Sequence, residues 1–150
     1  MASNLQLVYA SRRNLPTDPA AEADEVRDIL TVSRKENAKL DITGALLSSA
    51  HCFAQALEGP VEAVEQLFHR IRVDPRHHHV VLLLTRAASE RMFPDWSMGF
   101  TTPTEVDEIE RAAKVLEQAF LSSAEKGDIE AAGTAICELI QSGTFKVQIW

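Results

Sequence analysis

From Leu5 to Thr85 the hydrophobic period switches between two and 3.6 residues in the order strand, helix, strand, strand, helix, strand. That order constrains the fold more than any single residue does. Leu5, Leu7 and Tyr9 share one face at period two, as a half-buried strand places them. Asp18 then reads as an N-cap with Pro19 in the first helical position, and Val26, Ile29, Leu30 and Ser33 recur at helical spacing to about Asn37. Ile42 to Ser48 and Cys52 to Glu58 predict an antiparallel hairpin. Gly59-Pro60 opens a second helix striped by Val61, Val64, Leu67, Phe68 and Ile71. Val80 to Thr85 is almost uninterrupted Val and Leu, which predicts an interior strand covered on both faces, and Trp96 to Thr101 predicts one more strand. The expected architecture is α+β: a ferredoxin-like βαββαβ unit plus an extra strand, with two helices on one face of a mixed sheet.

The remainder is helical. Thr102-Pro103-Thr104-Glu105 fits a capping box with Pro103 as first helical residue, followed by Val106, Ile109, Ala113, Leu116 and Phe120 as a third stripe. Ile129, Ala132, Ile136, Leu139 and Ile140 give a fourth, stopping near Ser142-Gly143, and the alternation of Phe145, Val147 and Ile149 predicts a terminal strand. These helices should cover the other face of the sheet, or a partner's, because an apolar face left in water is unfavourable. The expected division is a domain over residues 1–101 and a helical extension over 102–150.

Composition removes several function classes. Of 150 residues, 15 are Lys or Arg and 22 Asp or Glu, and the net charge of −7 disfavours nucleic acid and anionic membranes. Cys52 and Cys137 form no CxxC, no apolar run approaches a bilayer span, and residues 1–5 lack the pattern of a signal peptide, so a reducing cytoplasm is the expected compartment. The consecutive His77, His78 and His79 diverge from a strand or helix and do not converge on one ion, so no metal site is expected. There is no GxSxG, Walker A, GxGxxG or HExxH motif, and Ser11, Ser33 and Ser97 have no readable His/Asp arrangement, so nucleophilic catalysis is not supported.

Two residues break their local pattern. Gln55 shares a strand face with Phe53 and Leu57; if that face is the core, its amide must bond to protein, water or ligand, since an unpaired buried amide costs about 1–3 kcal/mol. Tyr9, the only tyrosine, shares the Leu5 and Leu7 face and needs a partner for its phenol if buried. Each alone reads more readily as a satisfied structural residue than as a functional one. A ferredoxin-like sheet, however, has a pairing in which the two strands flank each other and both side chains meet on the helix side.

Several segments, in order, resemble the BLUF family of blue-light sensors using FAD. They are Leu7-Val8-Tyr9-Ala10-Ser11-Arg12, Ser33-Arg34-Lys35-Glu36-Asn37, Ile42-Thr43-Gly44-Ala45-Leu46-Leu47, and Phe53-Ala54-Gln55-Ala56-Leu57-Glu58-Gly59-Pro60. Asp74-Pro75-Arg76-His77 and Phe93-Pro94-Asp95-Trp96-Ser97-Met98-Gly99 complete the set, which runs from Leu5 to about Thr101.

The resemblance implies a photoreceptor rather than an enzyme. Tyr9 would give an electron and proton to the excited flavin, and Gln55 would bridge the phenol to flavin N5 and O4 and rearrange. Asn37 would bond the pyrimidine edge, Arg76 and His77 would lie beside the O2/N1 side and the ribityl chain, and Ile42 would be an apolar neighbour of the ring. Ser33, Trp96 and Met98 would sense the orientation of the glutamine. Lys35, Lys39 and Arg34 are candidates for the FAD phosphates, with FMN or riboflavin as alternative ligands in vitro. The resemblance further implies a short member lacking an output domain, which signals through a homo-oligomer, a dimer or larger ring, or a separate protein. With one tyrosine among nine aromatic residues, Trp96 and Trp150 are the only other donors. The competing reading is a light-silent ferredoxin-like interaction module in which Tyr9 and Gln55 are structural.

Overall fold

A computed structural model describes residues 4–121 and 126–141. Strand β1 (Asn4–Arg13) leads to helix α1 (Pro19–Leu40), then to the hairpin of β2 (Thr43–Ser48) and β3 (Cys52–Pro60), helix α2 (Val61–Arg72) and strand β4 (His77–Ala88). A short β5 (Gly99–Thr101) and helices α3 (Val106–Leu121) and α4 (Lys126–Gln141) follow. The sheet order is β4-β1-β3-β2-β5, antiparallel except for β5, which runs parallel to β2. This is the ferredoxin-like arrangement with an added edge.

Local chemistry sets the element ends. The Asp18 carboxylate accepts from the Ala21 N–H at 3.0 Å and Pro19 opens α1. The helix closes at Asp41, in the left-handed region at φ 57°, with its N–H on the Asn37 carbonyl. The hairpin turn holds no glycine; Ser49 closes it by bonding the Cys52 carbonyl through both its N–H, at 2.9 Å, and its hydroxyl, at 3.2 Å.

The period-two faces sort into two cores. Leu7, Tyr9, Leu46, Phe53 and Leu57 meet Val26 and Leu30 of α1 and Val64 and Phe68 of α2. On the opposite face Val8, Ala10, Ala45, Ala54 and Ala56 meet Ala112, Leu116 and Ala119 of α3 and Ala132, Ile136 and Ile140 of α4. The C-terminal helices thus cover the face that α1 and α2 leave bare. Small residues permit the close approach: a Cβ on Gly133 would stand 2.8 Å from that of Leu84.

Four expectations are corrected. Strand β4 is an edge strand, paired only with β1, and Leu82 is 42% exposed. Its apolar run reflects a bulge opposite Val8 and Tyr9 that turns the adjacent Leu83 and Leu84 both inward. The last strand is confined to Gly99–Thr101, with Trp96 to Met98 in a bend before it. Helix α3 starts at Val106, not Pro103, because the Glu108 carboxylate reaches back to the Glu105 N–H at 3.0 Å. Its buried stripe is Glu108, Ala112, Leu116 and Ala119, while Val106, Ile109 and Ala113 of the expected stripe face outward. The Ser142-Gly143 stop and the expected terminal strand lie outside the described residues.

Candidate functional site

Between α1, α2 and the sheet lies a cleft with about 550 Å³ of empty space, part of it open to solvent. Its apolar lining is Ile29, Leu46, Phe53, Leu67 and Ile71; its polar lining is Tyr9, Ser33, Asn37, Gln55, Asp74, Arg76 and His77. That size and that mixture suit a small organic ligand.

Tyr9 and Gln55 occupy opposed positions on β1 and β3, so their side chains leave the sheet side by side on one face. The Tyr9 hydroxyl donates to Gln55 Oε1 at 2.5 Å, and Gln55 Nε2 donates to Met98 Sδ at 3.2 Å. The thioether is an acceptor only, so it fixes the amide with nitrogen toward Met98 and oxygen toward the phenol. Both residues are buried. Burial, and after it the negative charge of Asp74, pushes the Tyr9 phenol far above its ordinary pKa and keeps it a proton donor.

Asn37 is 1% exposed, and its Nδ2 donates to the Ser97 carbonyl at 2.9 Å, while its Oδ1 has no hydrogen-bond partner. An orphaned buried acceptor at a ligand-sized cleft calls for a donor from outside the protein. Arg76 is gripped by Asp74, with Nη2 to Oδ2 at 2.7 Å, and lies near Asp28 and Glu25. The hydrogen bond to Arg76 holds the Asp74 carboxyl below the usual range and raises the guanidinium in turn.

His77 lines the cleft with both ring nitrogens committed inside the protein. Nε2 meets the Ile71 carbonyl at 2.6 Å and must donate to it, so in the neutral ring Nδ1 accepts from the Ser11 hydroxyl at 2.7 Å. Its ring packs edgewise on Tyr9 and Phe53. His78 and His79 are exposed, and no group of metal-ligating side chains occurs among the described residues.

Met98, not Trp96, faces Gln55. Trp96 stacks on Phe93 at 5.7 Å against the α3 and α4 core, and its ring fills the space a Cβ on Gly99 would need. Ile42 is buried in the α1 and α2 core without lining the cleft. Lys35 and Lys39 are exposed on α1 outside it, Lys39 lying 3.7 Å from Glu36, and Arg34 donates to the Met98 carbonyl at 2.9 Å. Residue-type reasoning missed Leu46, Ser11 and Asp74. Leu46, which faces Gln55 across the hairpin, was legible from strand parity; Ser11 and Asp74 depend on how the start of β4 folds against β1.

A family profile described as "BLUF: Sensors of blue-light using FAD" matches residues 5–99. The chain belongs to the BLUF family. The matched span holds every side chain that lines the cleft. Among curated proteins, the chain is 39% identical over 97 residues to the photoactivated adenylate cyclase subunit beta of Euglena longa, covering 64% of this chain but 11% of that protein. It is 36% identical over 69 residues to the blue light- and temperature-regulated antirepressor BluF of Escherichia coli K12, covering 46% of this chain and 17% of that one. The chain therefore spans only a small part of these relatives. Two solved BLUF structures match over nearly their whole length: BlsA in its ground state at TM-score 0.71 and 30% identity, covering 92% of this chain and 88% of that one, and dark-state BlrB at 0.67 and 29%, covering 93% and 98%. The ferredoxin-like α+β fold with two C-terminal helices is thus the BLUF fold. No helix among the described residues is long and apolar enough to cross a membrane.

The cleft fits a flavin. Apolar walls suit the faces of a planar heterocycle, and the orphaned Asn37 Oδ1 suits an imide N–H on its edge.

Proposed function

We propose that this chain is a non-enzymatic blue-light sensor in which Tyr9 and Gln55 form the photochemical relay. The observation that carries the reading is the buried chain from the Tyr9 hydroxyl through the Gln55 amide to Met98, set in the wall of the cleft. FAD is the expected flavin, with FMN or riboflavin able to fill the same cleft in vitro. When bound and excited by blue light, a flavin supplies a strong one-electron oxidant.

Tyr9 answers an oxidant by losing an electron and a proton together. Its O–H breaks toward Gln55 Oε1, 2.5 Å away, so the proton lands on the amide and no lasting charge is buried. As Oε1 takes up the phenol's proton, Nε2 would give one up to the ligand that took the electron, leaving the amide as its neutral tautomer with a single N–H, and rotation of that side chain would break the contact with Met98 Sδ. Asn37 orients the ligand, its Nδ2 anchored on Ser97. Arg76, already charged and held by Asp74, supplies a cation at the rim, and His77 braces the start of β4 against α2 while packing on Tyr9. Lys35 and Lys39 are the cations proposed for the phosphates of FAD.

Signal then leaves through the segment that carries both Met98 and Trp96. Met98 belongs to the core beneath α1 and α2 and Trp96 to the core beneath α3 and α4, so a shift at Gln55 reaches both faces of the sheet. The sensor unit is residues 1–101, and 102–150 the extension, whose helices α3 and α4 cover the second face and carry output to a partner. The outward Val106, Ile109 and Leu121 of α3, 69%, 48% and 69% exposed, favour a homo-oligomer.

An absorption spectrum before and after blue illumination of flavin-loaded protein tests the reading. A yellow protein with a reversible red shift is expected. Protein that stays colourless after reconstitution, or a spectrum that light leaves unchanged, defeats it. Sedimentation velocity tests assembly; a monomer at high concentration in light and dark removes the oligomer.

A further inference from the structure

The loop from Glu90 to Met98 brings Met98 to Gln55, and its other end is held by an acid that the relay does not use. Glu58 is fully buried, three residues beyond Gln55 on β3 and so on the opposite face. Its Oε1 accepts from the N–H groups of Met92 at 2.9 Å and Phe93 at 2.8 Å, and its Oε2 from Met92 at 2.8 Å and from Gln6 Nε2 at 3.1 Å. Gln6 cannot turn its amide without loss, because Arg86 Nε donates to its Oε1 at 2.5 Å. A buried acid surrounded only by donors is costly unless every donor is aimed at it, and two of these three belong to the loop.

We infer that Glu58 is a positioning residue: its carboxylate holds the Met92-Phe93 backbone and thereby sets where Met98 stands against Gln55. The link runs through a short turn. Trp96 N–H bonds the Phe93 carbonyl at 3.4 Å, the two rings stack, and the Trp96 carbonyl accepts from the Gly44 N–H at 2.9 Å, two residues before Met98. The inference rests on the sensor reading for its consequence, the stability of the rearranged glutamine, but not for the clamp itself.

Glu58→Gln tests it with the full chain. A glutamine presents an NH2 group to a ring of donors: with its oxygen at the Oε1 position it keeps both loop N–H groups but sets its NH2 against the Met92 N–H and the Gln6 NH2, and in the other orientation Phe93 loses its acceptor, so the clamp weakens either way. Without light, the Met92 and Phe93 amides, protected in the parent, should exchange about tenfold faster, and the Met98 methyl signal should move. With flavin bound and the sample illuminated, return to the dark spectrum should change by about fivefold or more. In a Met98→Ala background Glu58→Gln should change recovery by less than about twofold, since its route to Gln55 is gone. A merely structural role would act equally in both backgrounds.

Unprotected Met92 and Phe93 amides in the parent, or recovery equally altered with and without Met98, overturns the inference. If the parent shows no red shift, the sensor reading fails while amide exchange and the Met98 signal still decide the clamp. Should Glu58→Gln not fold, Glu58→Asp retains the acid but withdraws its oxygens by one carbon–carbon bond, about 1.5 Å. Parent-like exchange in that variant equally sinks the clamp.

Discussion

Tyr9→Phe removes one oxygen and leaves the ring. The ring's neighbours, Phe68 with centroids 5.6 Å away and His77 at 6.0 Å, keep their packing. What changes is Gln55, only 5% exposed, whose Oε1 loses the phenol donor at 2.5 Å. An acceptor stranded in a buried site costs about 1–3 kcal/mol, and the lower desolvation cost of a phenyl ring offsets part of it, leaving about 1–2 kcal/mol. For a domain of this size each kcal/mol moves Tm by about 2–4 °C, so flavin-free Tyr9→Phe should melt about 2–8 °C below the parent. Circular dichroism on heating measures this. The flavin-loaded variant should stay yellow, because Tyr9 is only one wall of the cleft, but lose the light-induced red shift. An undiminished red shift removes Tyr9 from the relay; an unchanged or raised Tm shows that the phenol–amide bond contributes nothing net to the fold.

The same phenol predicts an alkaline limit. Its folded pKa lies above the ordinary 10.0, so the folded protein keeps a proton that the unfolded chain gives up. Stability is therefore complete below about pH 10 and falls above it by up to about 1.4 kcal/mol per pH unit. Urea titrations between pH 9 and 11 should show that slope in the parent and lose it in Tyr9→Phe. Asn37→Ala deletes the orphaned Oδ1 and the anchor on Ser97, and should weaken flavin binding by about tenfold in a fluorescence titration; an unchanged Kd would separate Asn37 from the ligand. Gly44→Ala would set a Cβ 2.0 Å from the Ala56 carbonyl oxygen, across the hairpin. It should cost about 3 kcal/mol or more, read by denaturant unfolding, and a parent-like midpoint would contradict the β2 and β3 register.

Strand order came through in the sequence because period two and period 3.6 are local properties, fixed by which positions must face a core. The Asp18 cap was legible on the same ground, whereas the meeting of Tyr9 with Gln55 was legible only as one of the pairings that a ferredoxin-like sheet allows. The edge position of β4 was not, because an apolar run says that side chains are covered but not whether a strand lies on one side or two. In α3 the chain offers two adjacent apolar stripes, and the one chosen carries Ala112 and Ala119, small enough to lie close to the sheet. Only the approach of the sheet makes small residues the better buried face.

The site divides in the same way. By itself the sequence determined which side chains are available: one phenol, one amide out of place on an apolar strand, an asparagine one helix away, and the ordered motifs that mark the family. The tertiary structure decided what each is bonded to. It turned Met98 toward Gln55 and Trp96 to the opposite core, closed His77 between Ser11 and Ile71, and left Asn37 Oδ1 unpaired at the cleft. These outcomes depend on contacts between residues 6 to 66 positions apart, and a short-range pattern carries no information about which distant donor or acceptor will be nearest.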